Sequence, residues 1–333
     1  GDITSFTAIN NGNAPVTSTV TVTPTANNCV GIPSTFTFTV NPTPRVDSVS
    51  SQQVCNGDNT TAINFTGPVA GTLFTWTNTT TSIGLAAGGT GSIPSFTVTN
   101  ATNVPVIATI TVTPSANGCT GPSFTFTITV NPTPTVNATA NQTLCNGSST
   151  TSVIFTGLVA GTIYNWTNNN TTIGLGTNGI DSIPTFNAIN TSNSPVTATI
   201  VITPSANGCI GSTTSYTYTV NPTPTVDSVS SQILCNNATT APINFTGYVL
   251  GTTYSWVNSN TTIGLAASGT GNIASFTATN VTLLPISGTI TVTPSANGCI
   301  GNPFTFTITV QPTPLVDPIS NQSICNGANS TAV

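Results

Sequence analysis

The stretch "VIATITVTP" places Val106, Ala108, Ile110 and Val112 on one face and Thr109, Thr111 and Thr113 on the other. "FTFTITV" does the same, with Phe124, Phe126, Ile128 and Val130 alternating with Thr125, Thr127 and Thr129. A period of two predicts half-buried antiparallel strands. Thr on the wet face keeps the β-branched preference for extended backbone while remaining soluble. Shorter apolar runs, "AINFTG" from Ala62, "LFTWTN" from Leu73 and "SFTVTN" from Ser95, precede these two, with Gly-containing turns between them. About seven strands with turns every 8–12 residues predict an all-β, immunoglobulin-like antiparallel sandwich.

The pattern recurs. Trp76, Trp166 and Trp256 are spaced by 90 residues, as are Pro44, Pro134, Pro224 and Pro314. Cysteines form two columns with that spacing: Cys29, Cys119, Cys209, Cys299 and Cys55, Cys145, Cys235, Cys325. A strict long period marks a tandem array, and each unit is long enough for a small core of its own. The expected domains are complete repeats at 45–134, 135–224 and 225–314, flanked by the C-terminal half of a repeat (1–44) and the start of another (315–333). The opening "GDITSF" aligns with "GSIPSF" from Gly91 and the closing "TAV" with Thr61-Ala62-Ile63, so the chain is expected to be a stretch of a longer array.

Each repeat ends in "TVNPTP" or "TVQPTP". Pro cannot continue a hydrogen-bonded ladder, and Pro-rich segments extend into a semi-rigid polyproline spacer. Pro42, Pro44, Pro132, Pro134, Pro222, Pro224, Pro312 and Pro314 are therefore read as the joints of an extended rod. Comparison of the copies also identifies two positions that need positive φ. In "ANGC" the Gly at 118 becomes Asn28, and in "CNG" the Gly at 57, 147 and 327 becomes Asn237. Asn is the other residue that tolerates a left-handed backbone.

Composition removes most chemistry. Arg45 is the only cation and Asp2, Asp47, Asp58, Asp181, Asp227 and Asp317 are the only acids; His, Lys, Glu and Met are absent. No general acid–base pair or activated nucleophile is available, so no enzyme and no catalytic residue is expected. Without a basic patch there is no footprint for nucleic acid. No apolar run is long enough to insert in a membrane. Calcium needs several carboxylates per site, and zinc needs close Cys or His pairs; neither metal nor any other cofactor is expected. Trp76 reads as core, since large aromatics dominate small cores.

Cysteines in such a chain point to disulfides in an oxidising compartment. Two pairings respect the period. Within units, Cys55–Cys119, Cys145–Cys209 and Cys235–Cys299 would form, leaving Cys29 and Cys325 to pair outside the chain. Across units, Cys29–Cys55, Cys119–Cys145, Cys209–Cys235 and Cys299–Cys325 would use all eight. The first is favoured, because the second asks a hairpin tip to meet a cysteine beyond the far end of its own strand, against a Cα limit of roughly 7 Å.

The assembled pattern, "CNG…INFTG…YSWVNSNTTIGLAASGTGNIASFTATN…GTITVTPSANGCIG…FTFTITVQPTP", resembles the PKD-like, Ig-like repeats of giant cell-surface adhesins of Bacteroidetes, including gliding-motility adhesins exported by the type IX system. The resemblance covers the three complete repeats and both partial ends. It implies an extracellular, surface-attached chain. It also makes Asp-Ser followed by an apolar residue readable as an O-glycosylation motif, at Ser48, Ser182 and Ser228. The function expected is a non-catalytic stalk holding a distal binding region away from the cell, its partners being neighbouring repeats. The alternatives are repeats that bind carbohydrate themselves, or copies that pack laterally into a filament or sheath. Thr ladders such as Thr125, Thr127 and Thr129 read as the solvent side of a strand rather than an ice-binding face.

Overall fold

In the computed structural model, which describes residues 1–332, three repeats of one all-β fold follow one another. In residues 45–134 the main sheet runs in the order Gln52–Cys55, Phe124–Asn131, Val106–Ala116, Leu73–Asn78, Gly88–Thr90. The long strand Val106–Ala116 and Phe124–Asn131 pair antiparallel, with Phe126 opposite Ile110 and Ile128 opposite Ala108. Their inward alternation is the one the sequence predicts: Ala108, Ile110, Val112, Ile128 and Val130 are fully buried. The opposite layer is thinner. The runs around Ile63 and Thr97 meet only through isolated bridges, Asn59 to Thr97 and Ile63 to Ile93, where short strands were expected. The middle repeat extends this layer into the pair Val153–Ile154 and Ser182–Ile183.

Between the layers lies one apolar cluster per repeat. Trp76, Ile83, Phe65, Ile93 and Phe126 belong to the first. The clusters around Trp166 and Trp256 draw on residues between Val136 and Val220 and between Val226 and Val310, respectively. Trp76 pairs across the sheet with Gly89. A Cβ on Gly89 would sit 2.5 Å from the indole ring, so the glycine makes room for the largest core side chain. Residues 1–44 carry the equivalents of the two long strands, Val16–Val22 and Ser34–Val40, with the short hairpin pair Thr25–Ala26 and Cys29–Val30. There Phe36 is 42% exposed, whereas its counterpart Phe126 is 4% exposed beneath a facing layer.

The hairpin at the end of the long strand turns through Asn117 (φ 49°) and Gly118 (φ 78°), two consecutive left-handed residues that match the twist of the flanking strands. Asn28 (φ 64°) and Asn237 (φ 70°) occupy the left-handed positions where other copies have Gly.

One sheet edge departs from the antiparallel expectation. Gln52–Cys55 runs parallel to Phe124–Asn131, with Cys55 beside Asn131. The chain therefore traverses the repeat before its first strand begins. Cys55 stands at the trailing end, which faces the next repeat, while the hairpin carrying Cys119 stands at the leading end.

Candidate functional site: the joint between repeats

The joint is assembled from the exit of one repeat and the hairpin tip of the next. At the first complete joint, Asn131 ends the last strand and is almost fully buried. Its carbonyl accepts from the Asn56 N–H at 2.9 Å. Its side-chain Nδ2 donates across the boundary to the Asn207 carbonyl at 2.9 Å, in the hairpin turn of the following repeat. The same bond links Asn41 to Asn117 and Asn221 to Asn297, each at 2.9 Å. Within "PTP", Thr133 accepts from Asn56 Nδ2 at 3.3 Å, and the copies Asn146–Thr223 and Asn236–Thr313 close to 3.0 and 2.9 Å. The Asn of "CNG" thus holds the departing linker.

The joint prolines are buried where a complete repeat follows. Pro42, Pro44, Pro132, Pro134, Pro222 and Pro224 are all buried, whereas Pro312 is half-buried and Pro314 exposed. Two glycines of the next repeat allow the close approach. A Cβ on Gly211 would overlap the Pro134 carbonyl oxygen, and one on Gly157 would overlap that of Thr135. Gly121 and Gly67 meet Pro44 and Arg45 in the same way, as Gly301 and Gly247 meet Pro224 and Thr225. Three residues further on, the backbone N–H groups of Asp47, Asn137 and Asp227 donate to the carbonyls of Thr66, Thr156 and Thr246. Their side chains bond the same threonines: Thr66 donates to Asp47 at 2.7 Å, Asn137 donates to Thr156 at 2.9 Å, and Thr246 donates to Asp227 at 2.6 Å. The linker is a seated element rather than a free spacer.

A covalent bond completes the joint. Cys55 is joined to Cys209 and Cys145 to Cys299, each with Cα atoms 5.6 Å apart. This corrects the expected within-repeat pairs Cys55–Cys119, Cys145–Cys209 and Cys235–Cys299, and equally the across-unit set. The physical reason is the parallel edge strand. It puts Cys55 at the trailing end, while Cys119 lies at the other end of an eight-residue strand, about 27 Å away at ~3.4 Å per residue. Only the hairpin of the following repeat comes within reach. Among the described residues Cys29, Cys119, Cys235 and Cys325 are unpaired.

Sequence reasoning located the prolines and both cysteine columns but missed the glycine pairs and the Asn of "TVN". Their signal was available in the copies, since Gly67, Gly157 and Gly247 share one column and Gly121, Gly211 and Gly301 another. The three motif serines Ser48, Ser182 and Ser228 are exposed. The Ser182 carbonyl accepts from the Trp166 indole N–H at 3.0 Å. The titrating groups shifted clearly from their ordinary values are buried tyrosines. Burial pushes the Tyr216 and Tyr218 hydroxyls up, and the two are hydrogen-bonded to each other at 3.2 Å.

A family model described as a PKD-like domain matches residues 49–134 and 229–314. No curated protein matches the sequence. Among solved structures, a three-immunoglobulin-domain fragment of titin is 10% identical, with a TM-score of 0.47 over 81% of this chain and 99% of that one. A fragment of mouse cadherin-23 is 11% identical, with a TM-score of 0.36 over 82% of this chain and 100% of that one. The insect immune protein hemolin is 10% identical, with a TM-score of 0.30 over 83% of this chain and 79% of that one.

Proposed function

The chain belongs to the PKD-like domain family, and we propose that its repeats form a non-catalytic stalk within a large cell-surface adhesin. The stalk holds a distal binding region away from the cell. The observation that carries this reading is the joint: buried prolines, a cross-boundary Asn bond and a cystine fix the direction of each repeat from the one before. A flexible tether needs none of these, since an unrestrained linker already allows reach. Cystines persist in oxidising compartments, which supports an extracellular location. The likeness of the repeat pattern to Bacteroidetes gliding-type adhesins supports surface attachment after type IX export. The exposed Ser48, Ser182 and Ser228 are the O-glycosylation sites of this reading.

Scattering in solution tests the stalk. Strands of 11 residues at ~3.4 Å per residue give repeats about 37 Å long, so three end to end span roughly 110 Å before the partial ends are added. A radius of gyration of about 35–45 Å is expected for a monomeric rod of about 120–150 Å once the partial ends are included, against about 20 Å for a compact globule of this size. A compact particle, or a broad distribution of bent forms, refutes the reading. Antibody labelling of intact cells checks location, and intact mass of natively sourced protein checks glycosylation.

A further inference from the structure

The cystines do not join nearest cysteines along the chain. Each spans 154 residues, while the repeat measures 90. The covalent loops must therefore overlap. Cys145 lies inside the loop closed by Cys55–Cys209, and Cys209 lies inside the loop closed by Cys145–Cys299. At each of the joints after Pro134 and Pro224, a cystine runs alongside the main chain. We propose that the staggered cystines make the array a pair of parallel covalent tracks, which carry tension past all but the last core strand of each repeat and keep the rod in one piece when its backbone is cut.

One track runs from Cys55 across its cystine to Cys209 and along the chain to Cys235; the other runs from Cys119 to Cys145, across to Cys299 and on to Cys325. Each main-chain leg covers 26 residues and contains the last strand and the Pro-Thr-Pro joint. Cys235 is exposed at the trailing end of its repeat beside the same Asn236–Thr313 bond as its predecessors, set for the hairpin cysteine of a following repeat. Cys119 is placed on its hairpin as Cys209 and Cys299 are on theirs, set for a preceding one.

In a continuous array, the shortest covalent route across two repeats is then one leg and one cystine. At no more than ~3.5 Å per residue, 26 residues reach about 90 Å. Two folded repeats measure about 75 Å by their strands alone. Complete unfolding of the cores would add almost nothing to the length. Within-repeat disulfides would leave a 26-residue leg in every repeat instead of every second one, and so about twice the covalent length, roughly 180 Å over the same two repeats. The tracks follow from connectivity alone and hold for a stalk or a sheath alike.

The connectivity is tested by a designed cut. Arg45 is the only basic residue and occupies the same joint position as Thr135 and Thr225, so Thr225→Arg adds a trypsin site at a position that already accepts Arg. The variant is digested in urea without reductant and weighed intact. Residues 46–225 and 226–333 should remain one species through Cys145–Cys299 and separate when a phosphine is added. Separation without reductant overturns the proposal. Non-reduced peptic peptides of the unaltered chain supply a second arm: Cys55 linked to Cys209 supports it, and Cys55 linked to Cys119 overturns it. For tension, the chain is held by terminal tags in an optical trap. Between Cys55 and Cys299 the oxidised chain exposes only the 64 residues separating Cys145 from Cys209, out of 244. Reduction should lengthen the fully extended chain by about 600 Å, at ~3.4 Å for each residue released. No lengthening refutes the load path.

Discussion

Replacing Gly211 by Ala isolates the seating of the linker from every other feature of the joint. The added Cβ would overlap the Pro134 carbonyl oxygen and lie 2.9 Å from the Pro134 carbonyl carbon and 3.0 Å from Pro204 Cγ. Comfortable contact needs about 3.5 Å, so the linker must retreat by about 1.5 Å. It has little freedom to do so. Asn207 and Cys209, in the same hairpin, are tied to Asn131 and Cys55 of the preceding repeat. Overpacking of this kind costs about 1–3 kcal/mol, and loss of the Asn131–Asn207 bond adds about 1 kcal/mol. A loss of about 2–4 kcal/mol is therefore expected for the middle repeat.

With Trp76 and Trp256 replaced by Phe in both the parent and the variant, Trp166 emission follows that repeat alone during thermal unfolding. At about 4–8 °C per kcal/mol for a domain of this size, even 2 kcal/mol lowers Tm by about 8–16 °C. Gly208→Ala is the control. Gly208 has φ +80° and open space around it, so only the left-handed backbone is strained there, at roughly 1 kcal/mol. If Gly211→Ala falls within about 0.5 kcal/mol of the parent, the linker is not seated as described and the rigid joint loses its basis.

Asn190 is buried and donates to the Ser194 and Val220 carbonyls at 2.8 and 2.7 Å while accepting from the Ser192 N–H at 2.9 Å. Asn190→Ala leaves those groups unpaired and should cost about 2–4 kcal/mol, read as a lower urea midpoint. Gly179→Ala drives a Cβ into the Trp166 ring, so Trp166 emission should shift to the red and the repeat should lose about 1–3 kcal/mol. The buried Tyr216 and Tyr218 hydroxyls ionise above the ordinary tyrosine value of 10.0. Their contribution is fully present below pH 10 and is lost as pH rises beyond it, because only the unfolded chain then gives up the protons. The middle repeat should accordingly unfold more readily above pH 10, and Tyr216→Phe should flatten that slope in an alkaline denaturation series.

The residue pattern made the repeat legible because each of its signals is local. Alternation of Thr with Ile, Val and Phe sets which face of a strand is dry, and Ala108 through Val112 and Phe126 through Val130 obey it. The left-handed positions could be read from Asn replacing Gly between copies, since Asn, like Asp, enters the left-handed region more readily than other side-chain-bearing residues. The buried asparagines were harder to foresee. Asn78 and Asn100 end their apolar runs as any polar residue would; only the folded loops reveal the Leu85, Val104 and Val130 carbonyls that await them.

By itself the sequence determined the period, the all-β alternation, the turn residues and the placing of joints at Pro-Thr-Pro. Tertiary structure decided what the joints are made of. Whether Gln52–Cys55 lies parallel or antiparallel beside Phe124–Asn131 is invisible in a period-two pattern, because both directions bury the same face. That choice sends Cys55 to the trailing end of its repeat, and so gives it to Cys209 rather than Cys119. A disulfide depends on where two Cα atoms finish in space, and strand direction, not spacing along the chain, put these two together.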